Sequence, residues 1–187
     1  MTQTLALAVG AGFSSGITLY ATVATLGLLE RYGVLHLSGP LGELSHPWVI
    51  AVALALYVVE FFADKIPYFD NLWDTIHTFI RPPAAAVLAY SMAGNIPVDW
   101  RWIAAMLAGG VALASHGAKA STRMAVNTLP EPFSNWALST GEDLLAVWLT
   151  WFATKHPSAT IALVTILAVL CLYVVVRLFR FARQVFA

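Results

Sequence analysis

Apolar residues in this chain come in long runs, separated by short polar punctuation. A helix that crosses a membrane needs about 20 mostly apolar residues. Six segments approach that length: Leu5 to Leu29, Trp48 to Phe62, Ile80 to Met92, Trp102 to Ala120, Ala137 to Thr154 and Thr160 to Leu178. The second and third are short. Either they absorb part of the polar stretch between them, or they dip into the membrane and return. Breakers mark the connections: Gly39-Pro40, His46-Pro47, Asn95-Ile96-Pro97, Pro130-Glu131-Pro132 and His156-Pro157. Arg81-Pro82-Pro83 reads as a helix start, because proline suits the first turn and has no N–H to lose.

The pattern predicts one all-α membrane domain over residues 1–187, a polytopic bundle of about six spans. Three spans per half would make the halves antiparallel, at about 1–96 and 97–187. Ser14-Ser15-Gly16 matches Ser115-His116-Gly117, and Ala55-Leu56 with Glu60 matches Ala137-Leu138 with Glu142. Such matches suit an inverted repeat with broken or re-entrant segments, a plan with its site near the midplane.

Composition agrees with a membrane location. Only 11% of residues are charged and 59% are hydrophobic, against about 25% charged in soluble domains. Net charge is zero, so nothing points to nucleic acid. Met1 to Leu7 lack the basic start of a signal peptide, so the first apolar segment is expected to be retained. The lone Cys171 has no partner for an intrachain disulfide and reads as a packing residue. With six spans, Lys65, Arg81, Lys119, Arg123, Arg177, Arg180 and Arg183 fall on one side. Arg31, Arg101 and Lys155 fall on the other. The richer side should be cytoplasmic, with both termini there. Trp48, Trp100 and Trp102 would mark the outer interface, and Trp73 and Trp136 the inner one. The tail Arg177, Arg180 and Arg183 would anchor on anionic lipid.

Charge is concentrated between Glu60 and Pro83. Glu60 and Asp64 share one helix face, as do Asp70, Asp74 and His77, and Pro67 separates the two groups. Carboxylates with an imidazole suit a divalent metal, and Asp70, Asp74 and His77 are its candidate ligands. Intramembrane acids equally suit a proton relay, and at the interface the same residues are simply hydrated. Glu60, behind Tyr57-Val58-Val59, is the deepest. A second group is the small-residue run around Ser14 and Ser15. It reads either as a packing seam or as a broken helix whose freed backbone lines a polar site. A third is the stripe His116, Lys119 and Arg123, which could snorkel to lipid or partner the acids. Arg81 and Arg123 could also contact an anion. Asn127 to Trp136 reads as an ordered loop, and Glu142-Asp143 lie just inside the fifth span.

Three stretches carry a family resemblance: Ala11 through Tyr20, the charged stretch through Arg81-Pro82-Pro83-Ala84, and the run from His116 through Ser134-Asn135 to Glu142-Asp143. Their wording resembles a bacterial membrane protein family catalogued as domain of unknown function 4126. The resemblance implies a bacterial integral membrane protein and brings no activity with it. Three functions follow as expectations. The first is a small transporter or channel for an ion or small polar solute. There Glu60, Asp64, Glu142 and Asp143 would bind a cation or proton, and Ser14, Ser15, His116 and Lys119 would line the path. The second is a metal-dependent enzyme acting on a lipid head group at the cytoplasmic face. The third is a non-catalytic scaffold subunit. The expected setting is a bacterial inner membrane, with the bilayer and a second copy of the chain as partners.

Overall fold

A computed structural model describes residues 1–37, 39–129 and 133–186. Among the described residues there are eight α-helices and no strand: α1 Thr2–Ile17, α2 Leu19–Arg31, α3 Pro47–Ala63, α4 Phe69–His77, α5 Arg81–Met92, α6 Val98–Val126, α7 Phe133–Lys155 and α8 Pro157–Phe186. A 3-10 turn, Gly39–Ser45, leads into α3 at a bend of 70°. The breaker Pro130-Glu131-Pro132 lies outside the described residues.

The first apolar segment is not one span. α1 stops at Ile17, Thr18 is extended at φ −147° and ψ 106°, and α2 begins at once. The chain then turns back. Leu26 and Leu35 pack into one cluster with Leu7 and Ala11. Val34 to Leu37 meet Gln3, Thr4 and Leu7 around a pocket of about 360 Å³. The expected span from Leu5 to Leu29 is therefore a helical hairpin with its tip at Thr18. Apolar counting missed this because both arms are equally greasy. Only polar partners at the tip, described below, set where the helix breaks.

α1 is the axis of the bundle, and every residue from Ala6 to Ile17 is buried. A helix that is apolar or small all round must be enclosed on every side. α6 lies against it and runs in the same direction: Ala8 clusters with Ala104, Gly12 abuts Ala108, and Gly16 abuts Ala112 and Ser115. An inverted repeat of 1–96 and 97–187 requires these two helices to be antiparallel. The parallel pairing removes the inverted relation. Ser14-Ser15-Gly16 and Ser115-His116-Gly117 instead lie beside each other on neighbouring helices.

α3, α5, α7 and α8 complete the shell around the hairpin. Each buries a narrow stripe. On α5 it is Arg81, Ala85, Ala89 and Met92, and on α3 it is Ile50, Ala53, Glu60 and Ala63. The outer faces carry large apolar groups, among them Phe62, Val87, Met106, Val169 and Phe179, each more than half exposed. Water does not tolerate a continuous apolar surface of this kind, but lipid does. Among the described residues, two helices are long and apolar enough to cross a membrane by themselves, Val98–Val126 and Pro157–Phe181. α5, with 12 residues, reaches only about 18 Å. Crossings of the expected third segment would need the adjoining turns.

The termini lie at opposite ends of the bundle. Thr4 and Leu7 sit near Met92 and Asn95, where α5 gives way to α6. α8 passes Gly117 at Val175 and ends beyond it. Placing both termini on one side does not fit this geometry, since the hairpin adds a reversal that the six-span count lacked. The charge census changes too. Arg81, Lys119 and Arg123 are buried, so lipid cannot read them. The basic excess at that end rests on Lys65, Arg177, Arg180 and Arg183.

Candidate functional site

The tip of the hairpin is held by side chains from three other helices, α3, α5 and α6. Ending α1 at Ile17 frees backbone carbonyls at its negative dipole end. Two polar groups answer them: Arg81 donates to Gly16 O at 3.1 Å and Lys119 to Ile17 O at 2.9 Å. Ser115 adds a hydrogen bond to Phe13 O, one turn earlier, at 2.9 Å. On the other side of the break, α2 begins with its positive dipole end, and an acid lies there. Thr18 Oγ1 donates to Glu60 Oε2 at 2.6 Å. The interruption is thus compensated on both sides.

Arg81, at the first position of α5 ahead of its two prolines, is the hub. Its guanidinium pairs with Glu60 at 2.6 Å and with Asp74 at 3.3 Å. It also donates to His116 Nδ1 at 2.8 Å. His116 must therefore carry its ring proton on Nε2, which meets Thr78 Oγ1 at 2.8 Å and Asp74 O at 3.0 Å. Below the hub, Lys119 pairs with Asp64 at 2.5 Å. Arg123 reaches Glu142 at 2.6 Å, Asn135 Oδ1 at 2.7 Å and the backbone oxygen of Asp64 at 2.6 Å. Asp70 lies 3.8 Å from Arg123 and takes hydrogen bonds from Asn127 at 2.7 and 2.9 Å.

Local sequence explains how these groups converge. The buried stripe of α6 is alanine at 104, 105, 108, 112 and 114, then becomes Ser115, His116, Lys119 and Arg123. One helix face therefore changes from apolar packing to polar lining along its length. α4 is amphipathic and buries Asp70, Asp74 and His77 while exposing Leu72 and Ile76. It lies across the polar end of the bundle with its charged face inward.

His77 is held by Trp73 O at 2.8 Å through Nδ1 and by the Tyr20 hydroxyl at 3.3 Å through Nε2. Its ring stacks on Trp73 with centroids 4.6 Å apart. Burial, reinforced by Arg81, holds this imidazole below the usual histidine range. The folded protein then binds fewer protons at His77 than the unfolded chain does. Stability from this residue is present above about pH 6.5 and falls as the unfolded state protonates below it. The melting temperature of His77→Gln should fall less steeply between about pH 6.5 and 5 than that of the parent. An unchanged slope would remove His77 from the titration.

Acid exceeds base in this cluster. Glu60, Asp64, Asp70, Asp74, Glu142 and Asp143 face Arg81, Lys119, Arg123 and the adjacent Lys65. Among the described residues, buried oxygens without a partner include Asp64 Oδ1, Asp74 Oδ2, Asp143 Oδ2 and the hydroxyls of Ser14 and Ser15. A depression of about 330 Å³ beside Asp74, lined also by Asn71, Thr78 and Ala120, leads to the cluster from the surface. Breaking one partner from a buried pair typically costs about 3–5 kcal/mol, so surplus buried carboxylate is an expensive arrangement.

The structure brings together most of the residues expected from sequence, with changed roles. Arg81 and Arg123 are taken by carboxylates of this chain instead of facing an anion. Asp70, Asp74 and His77 share a face but turn to different partners. Among the described residues no three His, Cys, Asp or Glu side chains are grouped to hold a metal ion. Thr18, Thr78, Asn127 and Asn135 were missed as site residues. The loop expected from Asn127 to Trp136 was the available signal for the two asparagines, and the small-residue run ending at Thr18 was the signal for Thr18, while nothing local marks Thr78.

What this fold and site define is a helical protein with an apolar exterior and a buried ionic network at a hairpin tip. The family model described as Domain of unknown function (DUF4126) matches residues 5–177, and the chain belongs to that family. No curated protein and no solved structure matches it.

Proposed function

We propose that the protein is a small membrane transporter or channel for an ion or small polar solute, with its carboxylates as cation or proton sites. The observation that carries this reading is the surplus of buried acid around the hairpin tip, with carboxylate oxygens left unpartnered. Acids at membrane depth cost about 2.5–3.5 kcal/mol each on insertion scales, and they are retained where they serve a path. Broken helices with freed backbone at a polar site are the usual construction for such a path.

The geometry suggests a route. One end opens at the depression beside Asp74. The other end is the polar pocket among Gln3, Thr4, His36 and Asn95. Ser14 and Ser15 lie on α1 between them. The basic tail of α8 would face a cytoplasm, with the hairpin entering from the opposite side of a bacterial inner membrane. The chain reconstituted into liposomes should pass protons, a cation or a small polar solute. Glu60→Gln and Asp64→Asn should reduce that flux at least tenfold. A protein that moves no protons, mono- or divalent cations or small anions would overturn the reading.

A further inference from the structure

We infer that Asp143 is the carboxyl at which this site takes up a proton. The inference rests on the transport reading for its purpose, but its test does not. Both oxygens of Glu60 are occupied, one by Arg81 and one by Thr18. Both oxygens of Asp70 are occupied by Asn127. Asp64 has Lys119, Asp74 has Arg81 and Glu142 has Arg123. Among the described residues of the cluster, Asp143 is the acid with no cationic nitrogen at ion-pair distance. It is 4% exposed, and its Oδ2 has no partner.

The groups around it do not replace a cation. From α3 the Tyr57 hydroxyl and the acids Glu60 and Asp64 face it, and none of them brings positive charge. Lys119 of α6 is committed to Asp64. Lys65 is turned aside, with Nζ 3.2 Å from the Phe61 ring centroid and 3.2 Å from Ser139 Oγ. Glu142, its neighbour on α7, is held by Arg123. α1 presents no ionisable side chain. A buried carboxylate so placed, within a cluster already rich in acid, is neutralised more cheaply by a proton than by any rearrangement. An alkali or alkaline-earth cation would ask for several more oxygens than one free Oδ2 and a phenol supply.

The test uses the full chain in lipid nanodiscs and infrared difference spectra between acidic and alkaline pH. The expected result is a protonated-carboxyl stretch that Asp143→Asn abolishes. Sodium and potassium should leave it unchanged. A band that survives Asp143→Asn, or one suppressed by alkali cations, overturns the inference. Should Asp143→Asn not fold, Asp143→Glu decides: it should move the band in frequency, and an unmoved band counts against Asp143. The two readings fail separately. An Asp143 band in a protein that carries no flux sinks transport and leaves the proton site. Flux with a band indifferent to Asp143 does the reverse.

Discussion

Replacing Arg81 with methionine is expected to be the most destabilising single change in the protein. Arg81 is fully buried and binds Glu60, Asp74, Gly16 O and His116 at once. Methionine would fill part of the volume but would leave Glu60 and Asp74 without their cation and the Gly16 carbonyl without a donor. Removing one partner from a buried ionic group costs about 3–5 kcal/mol, and here more than one acceptor is stranded. Thermal unfolding of purified protein, followed by tryptophan fluorescence, should show the loss as a melting temperature lowered by about 10 °C or more. Arg81→Lys keeps the charge but not the planar fork, so it should fall between the two. The double variant Glu60→Gln with Arg81→Met should lose less than the sum of the single changes, because an unpaired acid is removed along with its base. Should Arg81→Met melt no lower than a variant at an exposed base such as Lys155, the hub role would be wrong.

This dependence bears on what could be read from the chain beforehand. Helical periodicity placed Glu60 on an inward face, and placed His116, Lys119 and Arg123 on one stripe. Both hold because intrahelical spacing is local. Pairings across helices are not local. Lys119 or Arg123 was a foreseeable partner for the acids, but Arg81 looked like an interfacial residue at a proline-marked helix start. Its burial follows from the hairpin tip, whose Gly16 carbonyl it satisfies. The hairpin itself was invisible to hydropathy. An apolar run of 25 residues from Leu5 to Leu29 has the same composition whether it continues or folds back. The direction of α1 relative to α6 was lost with it, and so was the inverted repeat.

The second large effect is expected at Gly16. A Cβ there would run into Ser115 Oγ and the backbone oxygen of Ala112. A side-chain hydroxyl can rotate away, but a helix carbonyl cannot. Gly16→Ala therefore forces α1 and α6 apart along their closest approach. Such overpacking costs typically 1–3 kcal/mol, so about 3 kcal/mol is expected here. The displacement also reaches the site. Lys119 to Ile17 O spans this seam, and Arg81, which donates to Gly16 O, also leans on His116 of α6, so any separation weakens the donors that hold the hairpin tip. Gly16→Leu should give no folded protein. Combining Gly16→Ala with Ser115→Gly should recover only part of the loss, because the Ala112 oxygen still blocks the methyl group. Gly110 supplies the control. It lies on the same α6 with open space where its Cβ would stand, and Gly110→Ala should stabilise the helix by about 0.5–1 kcal/mol. Melting temperatures that move equally at the two glycines would mean the α1–α6 seam is looser than its contacts require. The site would then be held by its ion pairs alone.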